Sequence, residues 1–453
     1  MAGTAQVVSC DSVHGHIGTI CFKTGPPTTV GAEIEWLVTS PRHPRRPVPI
    51  DLMRTALDQA GPLPGGSSIT FEPGGQLELS SAPAVGVDAC WRALQADIGH
   101  VEAVLAGLDL TMLWTAIDPF RGPRRQLTDP RYTAMEAYFD RRGPEGRLMM
   151  CCTASLQVNV DAGADLDDIR RRWQILHAVG PTLVAAFANS PRHAGRLTGW
   201  KSARQAVWQR LDPRRTRPAQ GPDPITAWTD YALDAPLMMR RRGSDWHADP
   251  GLTFRQWLHL DGAGHDSTGC AHHGTTGLSS VPAHEGNEGN AEAAATLAAT
   301  SAVGGGRHVS GVNGHTYGRP TAQDLDYHLT TLFPPVRPRG WFEVRYLDNQ
   351  PAEYWPVAVA VLTALVDDPR AGERALAAVE PVADAWWNAA RNGLDHPGLA
   401  RAAQCCFEAA LDALHRQGAD PALIDLVESY RLRYVLRRRC PADDDLDPLR
   451  HVS

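Results

Sequence analysis

Four short segments of the chain alternate polar and apolar residues with a period of two, the pattern of a β-strand with one polar face. The segments are GAEIEW, FEPGGQLELS, SLQVNVD and WFEVRYLD. Their polar residues of like parity are Glu33 and Glu35; Glu72, Gln76 and Glu78; Ser155, Gln157, Asn159 and Asp161; and Glu343 and Arg345. Because alternate side chains of a strand point the same way, each set is predicted to share one sheet face.

Elsewhere, apolar residues recur every three or four positions, which indicates amphipathic helices. The predicted helices are DLMRTALDQA, residues 85–109, DPRYTAMEAYFDRRG, DLDDIRRRWQILHAVGPTLVAAFANSP and, after residue 351, four runs separated by Pro or Gly. TMLWTAID and the whole of LMMCCTASLQVNVDAG are predicted as strands, and a hairpin is predicted at PGG. The order of elements therefore mixes strands with long helices.

The length of 453 residues allows one enlarged catalytic domain or two to three smaller ones. We interpret residues 1–453 as a single catalytic domain with a helical C-terminal part over residues 351–440. Residues 261–317 are rich in Gly, Ala, Ser, Thr and His and are predicted to form a flexible surface insertion. The histidines there have no tight ligand spacing, so a solvated loop is favoured over a zinc site.

The net charge of −7 and a pI near 6.2 argue against a nucleic-acid partner, which usually requires a basic face. No run of eighteen apolar residues occurs, so no membrane partner is expected. The N-terminus lacks a basic segment followed by an apolar one, so we expect a cytoplasmic protein. Nine cysteines without a CxxC pair are expected to stay reduced. Small metabolites are the expected partners.

The first two polar faces carry four carboxylates without a nearby base: Glu33, Glu35, Glu72 and Glu78. If the strands are neighbours, two carboxylates about 5 Å apart repel by about 3 kcal/mol at an effective dielectric near 20. A hard divalent cation removes this cost, and oxygen ligands suit Mg²⁺ or Mn²⁺ together with nucleotide phosphates. Any one segment alone is better explained as a solvent-facing strand, but the four together favour a metal-nucleotide site.

The common P-loop, dinucleotide, serine-hydrolase and zinc-protease motifs do not occur, so a nucleotide must be held another way. An anionic substrate also needs positive charge beyond the metal, and Arg131, Arg204 and Arg345 are candidates. Arg204 lies four residues from both Trp200 and Trp208 and shares a helix face with them if the segment is helical. Its guanidinium could clamp a carboxylate or stack on the tryptophans, and both interpretations stay open.

Taken together, the segments resemble the glutamate-cysteine ligases, in the branch shared by plant enzymes and actinobacterial enzymes of ergothioneine biosynthesis. The resemblance covers about residues 30–350. It rests on GAEIEW, FEPGGQLELSSAP, MMCCTASLQVNVDA, FANSP, GWKSARQAVWQRLDPRRT, AWTDYALDAPLM, GLTFRQWL and DLDYHLTTLFPPVRPRGWFEVRYLDNQP. It implies an α+β fold like the catalytic domain of glutamine synthetase, in which a curved, largely antiparallel sheet forms a funnel with helices packed outside. The Ala-, Arg- and Trp-rich composition favours the ergothioneine branch.

The resemblance also implies a reaction. Mg-ATP phosphorylates the γ-carboxylate of L-glutamate, and the amine of L-cysteine attacks the acyl phosphate to give γ-glutamylcysteine, while ADP and phosphate leave. Two or three Mg²⁺ ions are implied, with Mn²⁺ as an alternative, in a monomer or homodimer. Phosphoryl transfer between two anions depends on positioning and charge neutralisation rather than on a protein nucleophile. A site built from acids and arginines agrees with that requirement.

The resemblance assigns roles by position in the matching motifs. The implied metal ligands are Glu33, Glu35, Glu72, Glu78 and Glu343, and the implied catalytic residues are Arg345, Glu72 and Glu343. The implied cofactor contacts are Glu78, Gln157 and Asn159. The implied substrate contacts are Arg204 at the glutamate α-carboxylate, Arg131 and Tyr132 in the pocket wall, and Tyr231 at the cysteine site. Arg345 is expected to face the transferring phosphoryl group.

Two alternative functions stay open at this point. The first is a γ-glutamyl ligase that uses another amine, because the acceptor cannot be read from the sequence. The second is a non-catalytic paralogue that binds glutamate or nucleotide, against which the intact acids and Arg345 argue. The insertion at residues 261–317 departs from the family pattern and is expected to be tolerated. The cysteine pair that controls plant enzymes has no counterpart, so thiol regulation is not expected.

Overall fold

The computed structural model describes residues 8–219, 221–241, 246–260 and 318–450. The predicted insertion at residues 261–317 lies outside this described part of the chain.

An open sheet of eight antiparallel strands organises the described residues, in the order β2-β3-β1-β6-β10-β9 with β4 and β5 also paired to β1. The strands are β1 (Thr29–Thr39), β2 (Ser68–Phe71), β3 (Leu77–Ser80), β4 (Ala84–Val85), β5 (Thr111–Leu113), β6 (Ser155–Asp161), β7 (Arg192–His193), β8 (Arg196–Leu197), β9 (Val336–Pro338) and β10 (Trp341–Asp348). Strands β7 and β8 form a separate hairpin. The polar segments of the sequence thus lie in four neighbouring strands, β3, β1, β6 and β10, and in the β2–β3 loop.

The strand register places the polar residues of neighbouring strands beside one another. The facing pairs are Glu35 with Glu78, Glu33 with Gln157, and Glu343 with Asn159. Since each strand also alternates its side chains, these polar groups occupy one continuous face of the sheet. The predicted hairpin at PGG is confirmed, because β2 pairs with β3 across it.

The opposite face of the sheet is apolar and faces the core. Ile34, Leu79, Val158 and Val344, one from each of the four central strands, are fully buried there. Burying an aliphatic side chain of this size contributes about 1.5–3 kcal/mol relative to exposure, so a slip of one residue in register would be strongly unfavourable. The core face therefore fixes which residues the polar face presents.

Helices cover this core and surround the sheet. They are α1 (Cys10–Cys21), α2 (Ile50–Ala60), α3 (Gly86–Ala106), α4 (Pro130–Asp140), α5 (Glu145–Cys152), α6 (Leu166–Ala178), α7 (Gly180–Ala186), α8 (Ala203–Leu211), α9 (Pro213–Thr216), α10 (Pro224–Asp234), α11 (Phe254–His259), α12 (Ala322–Leu329), α13 (Trp355–Asp367), α14 (Pro369–Val379), α15 (Trp386–Asn392), α16 (Pro397–Gln417), α17 (Pro421–Tyr430) and α18 (Pro441–Arg450). Helix α13 contacts β6, α14, α16 and α17 and is buried on all sides, as expected for an apolar helix at the centre of a domain. The predicted α+β class, with a largely antiparallel sheet and helices outside it, is confirmed.

One predicted strand is partly a helix. LMMCCTASLQVNVDAG was expected to be one long strand, but its first part belongs to α5 and the strand begins only at Ser155. Leu and Met are unbranched and favour helices, whereas strict alternation with Val starts after Ala154. TMLWTAID was likewise predicted as a strand, and only Thr111–Leu113 forms β5.

Two predicted helices are interrupted. The helix expected after Asp165 divides into α6 and α7, with Pro181 in the first turn of α7. The second C-terminal run breaks at Pro381, within the 3₁₀ turn Glu380–Val382 that separates α14 from α15. Beyond the predicted boundary at residue 440, the chain continues helical in α18.

Among the described helices, none has the length and apolar character needed to cross a bilayer.

Candidate active site

The polar face of the sheet is the floor of a cavity of about 460 Å³. Strands β1, β3, β6 and β10 form the floor, while α4, α5, α8 and α12 contribute walls. Small-molecule sites commonly measure roughly 300–1,000 Å³, so the cavity has the size of a ligand site. Nine predicted site residues line it: Glu33, Glu35, Glu72, Glu78, Arg131, Tyr132, Gln157, Arg204 and Arg345. Asn159, Tyr231 and Glu343 are not in its lining.

Three carboxylates converge on this floor. One oxygen from each of Glu35, Glu72 and Glu78 lies within 4.8 Å of the others. The β1–β3 register brings Glu35 and Glu78 together, and the tight loop between β2 and β3 adds Glu72. In that loop the Gly75 N–H donates to the Glu72 carbonyl at 2.8 Å, with Gly75 at φ +93°, a conformation that favours glycine. We call these three glutamates the carboxylate group.

Hydrogen bonds hold two members of the carboxylate group in place. Glu35 accepts from the backbone N–H and the hydroxyl of Ser155, both at 2.8 Å. Glu78 accepts from the Thr70 hydroxyl at 2.6 Å and from the Ser80 hydroxyl at 3.2 Å. Fixed carboxylate oxygens at this spacing are the hard donors that Mg²⁺ and Mn²⁺ prefer. The residues present therefore fit a divalent cation.

The carboxylate group is short of positive charge. Burial, followed by the charges of Glu35 and Glu78, raises the pKa of Glu72 to about 8. Burial and the charge of Glu35 also raise the pKa of Glu78. A bound cation would relieve this repulsion, and carboxylates must lose their protons to bind one, so metal binding and proton release are coupled.

Glu343 has a different environment, because three guanidinium groups surround it. Its oxygens accept from Arg337 at 2.6 and 3.0 Å, from Arg339 at 3.0 Å and from Arg345 at 2.9 Å. Burial alone would raise the pKa of Glu343, but Arg337 and Arg345 hold it well below its ordinary value. The structure thus pairs this predicted metal ligand with arginines and does not bring it into the carboxylate group.

Glu33 lies between the two environments. Its carboxylate accepts from the Asn159 side-chain amide at 3.0 Å. Burial and the charges of Glu343 and Glu78 raise the pKa of Glu33. Its oxygens are not part of the carboxylate group, and its role as a metal ligand stays a prediction.

Arg345 links the two environments. Its Nη1 donates to the Gln157 Oε1 at 2.7 Å and to Glu343, while the Gln157 Nε2 donates to Glu35 at 3.1 Å. The buried Nε of Arg345 has no hydrogen-bond partner among the described residues. Gln157 therefore connects Glu35 of the carboxylate group to the arginines, and Arg345 keeps a donor without a protein acceptor in the cavity wall.

Arg204 occupies the first turn of α8 and is almost fully buried. Its Nη2 donates to the Arg345 carbonyl at 2.7 Å, and its Nη1 lies 3.7 Å from the Asp348 carboxylate. Within the described residues, that buried Nη1 has no hydrogen-bond partner. The guanidinium also lies over Trp208 at 5.7 Å, so stacking coexists with an Nη1 that is ion-paired to Asp348 without a hydrogen bond. Trp200 precedes α8, so the condition under which it would share a helix face with Arg204 and Trp208 is not met.

Helix α4 brings Arg131 and Tyr132 to the cavity, as predicted. Arg131 donates to the hydroxyl and carbonyl of Thr330, both at 3.0 Å, which ties α4 to the end of α12. Burial and the nearby charge of Glu72 raise the pKa of Tyr132 to about 12, so its hydroxyl stays protonated at neutral pH. The pair adds polar side chains to the cavity wall near Glu72, whose charge acts on Tyr132 and is partly countered by Arg131.

Tyr231 does not reach the cavity. It is buried in the core on α10 and stacks on Trp228 with ring centroids 5.3 Å apart. Burial raises the pKa of Tyr231 well above its ordinary value. The three-residue spacing from Trp228 places both rings on the core face of the helix. Tyr231 thus lies outside the lining of this cavity, and its contact with a cysteine site stays a prediction.

Three important residues were missed by the sequence reasoning. Arg337 and Arg339 neutralise Glu343, and the Asp348 carboxylate forms an ion pair with the buried Arg204 at 3.7 Å. Arg337 faces Glu343 in the β9–β10 register, but β9 has only three residues and ends in proline, so no strand was predicted there. The alternation of the two arginines in VRPRG was the available signal.

Comparisons with known proteins were made on the whole chain. The family model described as glutamate-cysteine ligase family 2 (GCS2) matches residues 29–448. The chain is 40% identical over 449 residues to glutamate–cysteine ligase EgtA of Mycolicibacterium smegmatis, covering 98% of this chain and 92% of that protein. EgtA of Mycobacterium tuberculosis is 36% identical over 457 residues, with 98% and 91% covered. The chloroplastic glutamate–cysteine ligase of Brassica juncea is 29% identical over 293 residues, covering 63% and 47%.

Among solved structures, a glutamate–cysteine ligase from Francisella tularensis in complex with AMP aligns over 95% of this chain and 86% of that one. Its TM-score is 0.48 and its sequence identity is 14%.

The pKa of Glu72 predicts how stability depends on pH. The unfolded chain ionises this carboxyl near 4.5 and the folded metal-free protein near 8, so its contribution to stability is complete below pH 4.5 and is lost as the pH rises through 8. Added Mg²⁺ should therefore raise the thermal midpoint more at pH 8 than at pH 6. Glu72→Gln should reduce this difference. Equal Mg²⁺ effects at the two pH values, measured by calorimetry, would contradict the assignment.

Proposed function

Because this chain belongs to glutamate-cysteine ligase family 2, we propose that it joins the γ-carboxylate of L-glutamate to the amine of L-cysteine and forms γ-glutamylcysteine for ergothioneine biosynthesis. The ligation is proposed to consume ATP with Mg²⁺ and to pass through γ-glutamyl phosphate. The oligomeric state, a monomer or homodimer, and the cytoplasmic location stay predictions.

One observation supports this proposal most directly. A single cavity contains both the carboxylate group and the buried Arg204, whose Nη1 has no hydrogen-bond partner in the described chain. The first arrangement suits a cation that binds phosphates, and the second suits a carboxylate ligand. A ligase that activates an amino acid with ATP needs both in one place.

The proposed reaction has two steps. In the first, a γ-carboxylate oxygen of glutamate attacks the terminal phosphorus of ATP, the bond to the β-phosphate oxygen breaks, and ADP leaves. In the second, the cysteine nitrogen attacks the γ-carbonyl carbon, inorganic phosphate leaves, and the nitrogen loses a proton. Both steps develop negative charge on the oxygen atoms of phosphate groups, so positioning and countercharge carry the catalysis.

The residues divide this work by their position. Mg²⁺, held by Glu35, Glu72 and Glu78, would neutralise charge on the phosphates. Arg345 lines the cavity beside Glu343 and would supply positive charge to the transferring phosphoryl group. Arg204 would bind the α-carboxylate of glutamate and leave the γ-carboxylate directed toward the metal.

The apolar wall of the cavity supports cysteine as the acceptor. The apolar side chains in the cavity lining include Met135 on α4, Met149 on α5 and Phe333 after α12. Thioether and aromatic surfaces pack well against sulfur, and they offer no partner for a charged or strongly polar acceptor side chain. This observation favours a thiol amino acid over a more polar amine.

The proposed activity is tested by ADP release from Mg-ATP and L-glutamate, with and without L-cysteine, together with mass detection of γ-glutamylcysteine. Cysteine-dependent turnover with that product is expected. Glu72→Gln should abolish turnover while keeping the fold, because an amide mimics the protonated carboxyl that the metal-free protein already tolerates. Turnover that yields no γ-glutamylcysteine would show that the acceptor is an amine other than cysteine. Nucleotide binding without any turnover would show that the protein is not an active ligase.

Arg204 should be required for binding glutamate. Arg204→Lys replaces a planar donor pair by a point charge, so we expect the glutamate KM to rise about tenfold or more with a smaller change in kcat. Arg210→Lys, at an exposed position of the same helix where Arg210 pairs with Glu145, is the matched control and should leave the KM unchanged. An unaltered glutamate KM in Arg204→Lys would exclude Arg204 from the glutamate site.

A further inference from the structure

Glu72 is held differently from the other two members of the carboxylate group. Hydrogen bonds fix the carboxylates of Glu35 and Glu78, but among the described residues none reaches the carboxylate of Glu72. Besides burial, the charges of Glu35 and Glu78 act on it. Like charges repel, so these two neighbours push the Glu72 side chain away. Its place beside them therefore depends on the backbone of the β2–β3 loop.

That loop is a tight turn. The Glu72 N–H donates to the Gln76 carbonyl at 2.9 Å, and the Gly75 N–H donates back to the Glu72 carbonyl at 2.8 Å. These bonds close the turn within itself. Its orientation relative to the sheet is therefore set by contacts with other parts of the chain.

Gln126 supplies these contacts on the outer side of the turn. Its side-chain Nε2 donates to the Gly74 carbonyl at 2.9 Å. Its backbone N–H donates to the Pro73 carbonyl at 2.7 Å, and the Leu127 N–H donates to the same carbonyl at 3.2 Å. The two carbonyls that come directly after Glu72 are thus both bonded to this short segment.

The Gln126 amide is anchored on its far side as well. Its Nε2 also donates to the Val48 carbonyl at 3.1 Å, and its Oε1 accepts from the Ile50 N–H at 3.3 Å, where α2 begins. All these partners of the side chain are backbone groups, and both N–H bonds of the amide are used. Gln126 therefore joins the start of α2 to the turn that carries Glu72.

Gln76 holds the inner side of the turn. Its Oε1 accepts from the Gly74 N–H at 3.0 Å, and its Nε2 donates to the carbonyls of Thr153 at 2.9 Å and Met150 at 3.3 Å. Gly74 thus bonds Gln76 through its N–H and Gln126 through its carbonyl. The turn is fixed between two glutamine side chains, one attached to the α5–β6 junction and the other to α2.

On the outer side, a small gap remains beside the turn. It measures about 30 Å³, and its lining includes Val48, Gly74, Gly75 and Gln126. A space of this size holds roughly one water molecule. A Cβ at Gly75 would overlap the Gln126 amide, so the glycine lets the amide come close. Hydrogen bonds from Gln126, rather than tightly packed side chains, therefore support this side of the turn.

We propose that Gln126 is a positioning residue for the cation site: its amide holds the β2–β3 loop so that Glu72 stays beside Glu35 and Glu78 against their repulsion. This inference rests on the proposed function. Gln126 is not in the lining of the main cavity and forms no hydrogen bond with the three carboxylates, so it acts on the cation only through the loop. Replacing residues that orient metal ligands typically lowers metal affinity by roughly 10–100-fold.

The test is Mn²⁺ affinity, measured by electron paramagnetic resonance on the full chain. Gln126→Leu keeps the approximate size of the side chain and removes its hydrogen bonds to Val48, Ile50 and Gly74. It should bind Mn²⁺ about tenfold or more weakly than wild type. Gln126→Asn keeps an amide but shortens its reach, and it should also weaken binding. Gln59→Leu, at an exposed position of α2, is the matched control and should bind like wild type.

A double-substitution series separates positioning from general damage. Glu72→Ala removes the ligand on which Gln126 is proposed to act, so adding Gln126→Leu to it should lower Mn²⁺ affinity by less than about twofold. In Gln126→Leu alone, the Mg²⁺ concentration for half-maximal turnover should rise while the glutamate KM stays unchanged, since Arg204 lies on α8. Hydrogen exchange should become faster at the Gly75 amide and stay unchanged in β1, which checks that the variant is folded.

The outcomes separate this inference from the proposed function. Wild-type Mn²⁺ affinity in Gln126→Leu would overturn the positioning role and leave the carboxylate group as the cation site. Equal losses with and without Glu72 would also overturn it, because Gln126 would then act on the whole fold. A wild-type protein that binds no Mn²⁺ would instead overturn the cation role within the proposed function, and the positioning role with it.

Discussion

The antiparallel register between β1 and β3 is the constraint on which the site depends. It places the like-charged Glu35 and Glu78 opposite each other, an arrangement that costs about 3 kcal/mol at a separation near 5 Å. The apolar face of the same strands offsets this cost, because a register that separated the two acids would expose Ile34 and Leu79. Core packing thus holds in place a charge arrangement that is unfavourable without a cation.

Charge is distributed unevenly over the polar face. Glu72 and Glu78 of the carboxylate group have raised pKa values, whereas Glu343, only two strands away from β1, is neutralised by arginines. Gln157 and Arg345 connect these regions by hydrogen bonds. A cation is therefore attracted to the carboxylate group, and anionic groups are attracted to the arginines around Glu343.

Much of this arrangement could be predicted from the sequence, for reasons that are physical. Period-two alternation showed that Glu33 and Glu35, or Gln157 and Asn159, share a face, because the pleat of a strand requires it. The pairing order of the strands does not follow from alternation, so the grouping of Glu72 with Glu35 needed the structure. Resemblance to a family supplied the roles that the pattern alone left open.

The failures have physical causes as well. The short strand β9 has three residues, one of them a proline, and gave no periodic signal, so Arg337 and Arg339 were overlooked. Tyr231 lies in the core beside Trp228, where the periodicity of α10 places it, and not in the lining of the main cavity. The helix α5 was hidden in an apolar run, since apolar runs of this length do not distinguish helix from strand.

The central claim is that the carboxylate group binds a divalent cation. Titration with Mn²⁺, followed by electron paramagnetic resonance, tests it most directly on wild type, Glu78→Gln and the control Glu353→Gln, which removes an exposed acid outside the cavity. We expect tight Mn²⁺ binding in wild type and the control, and an affinity at least tenfold weaker in Glu78→Gln. Equal Mn²⁺ affinity in all three proteins would contradict it.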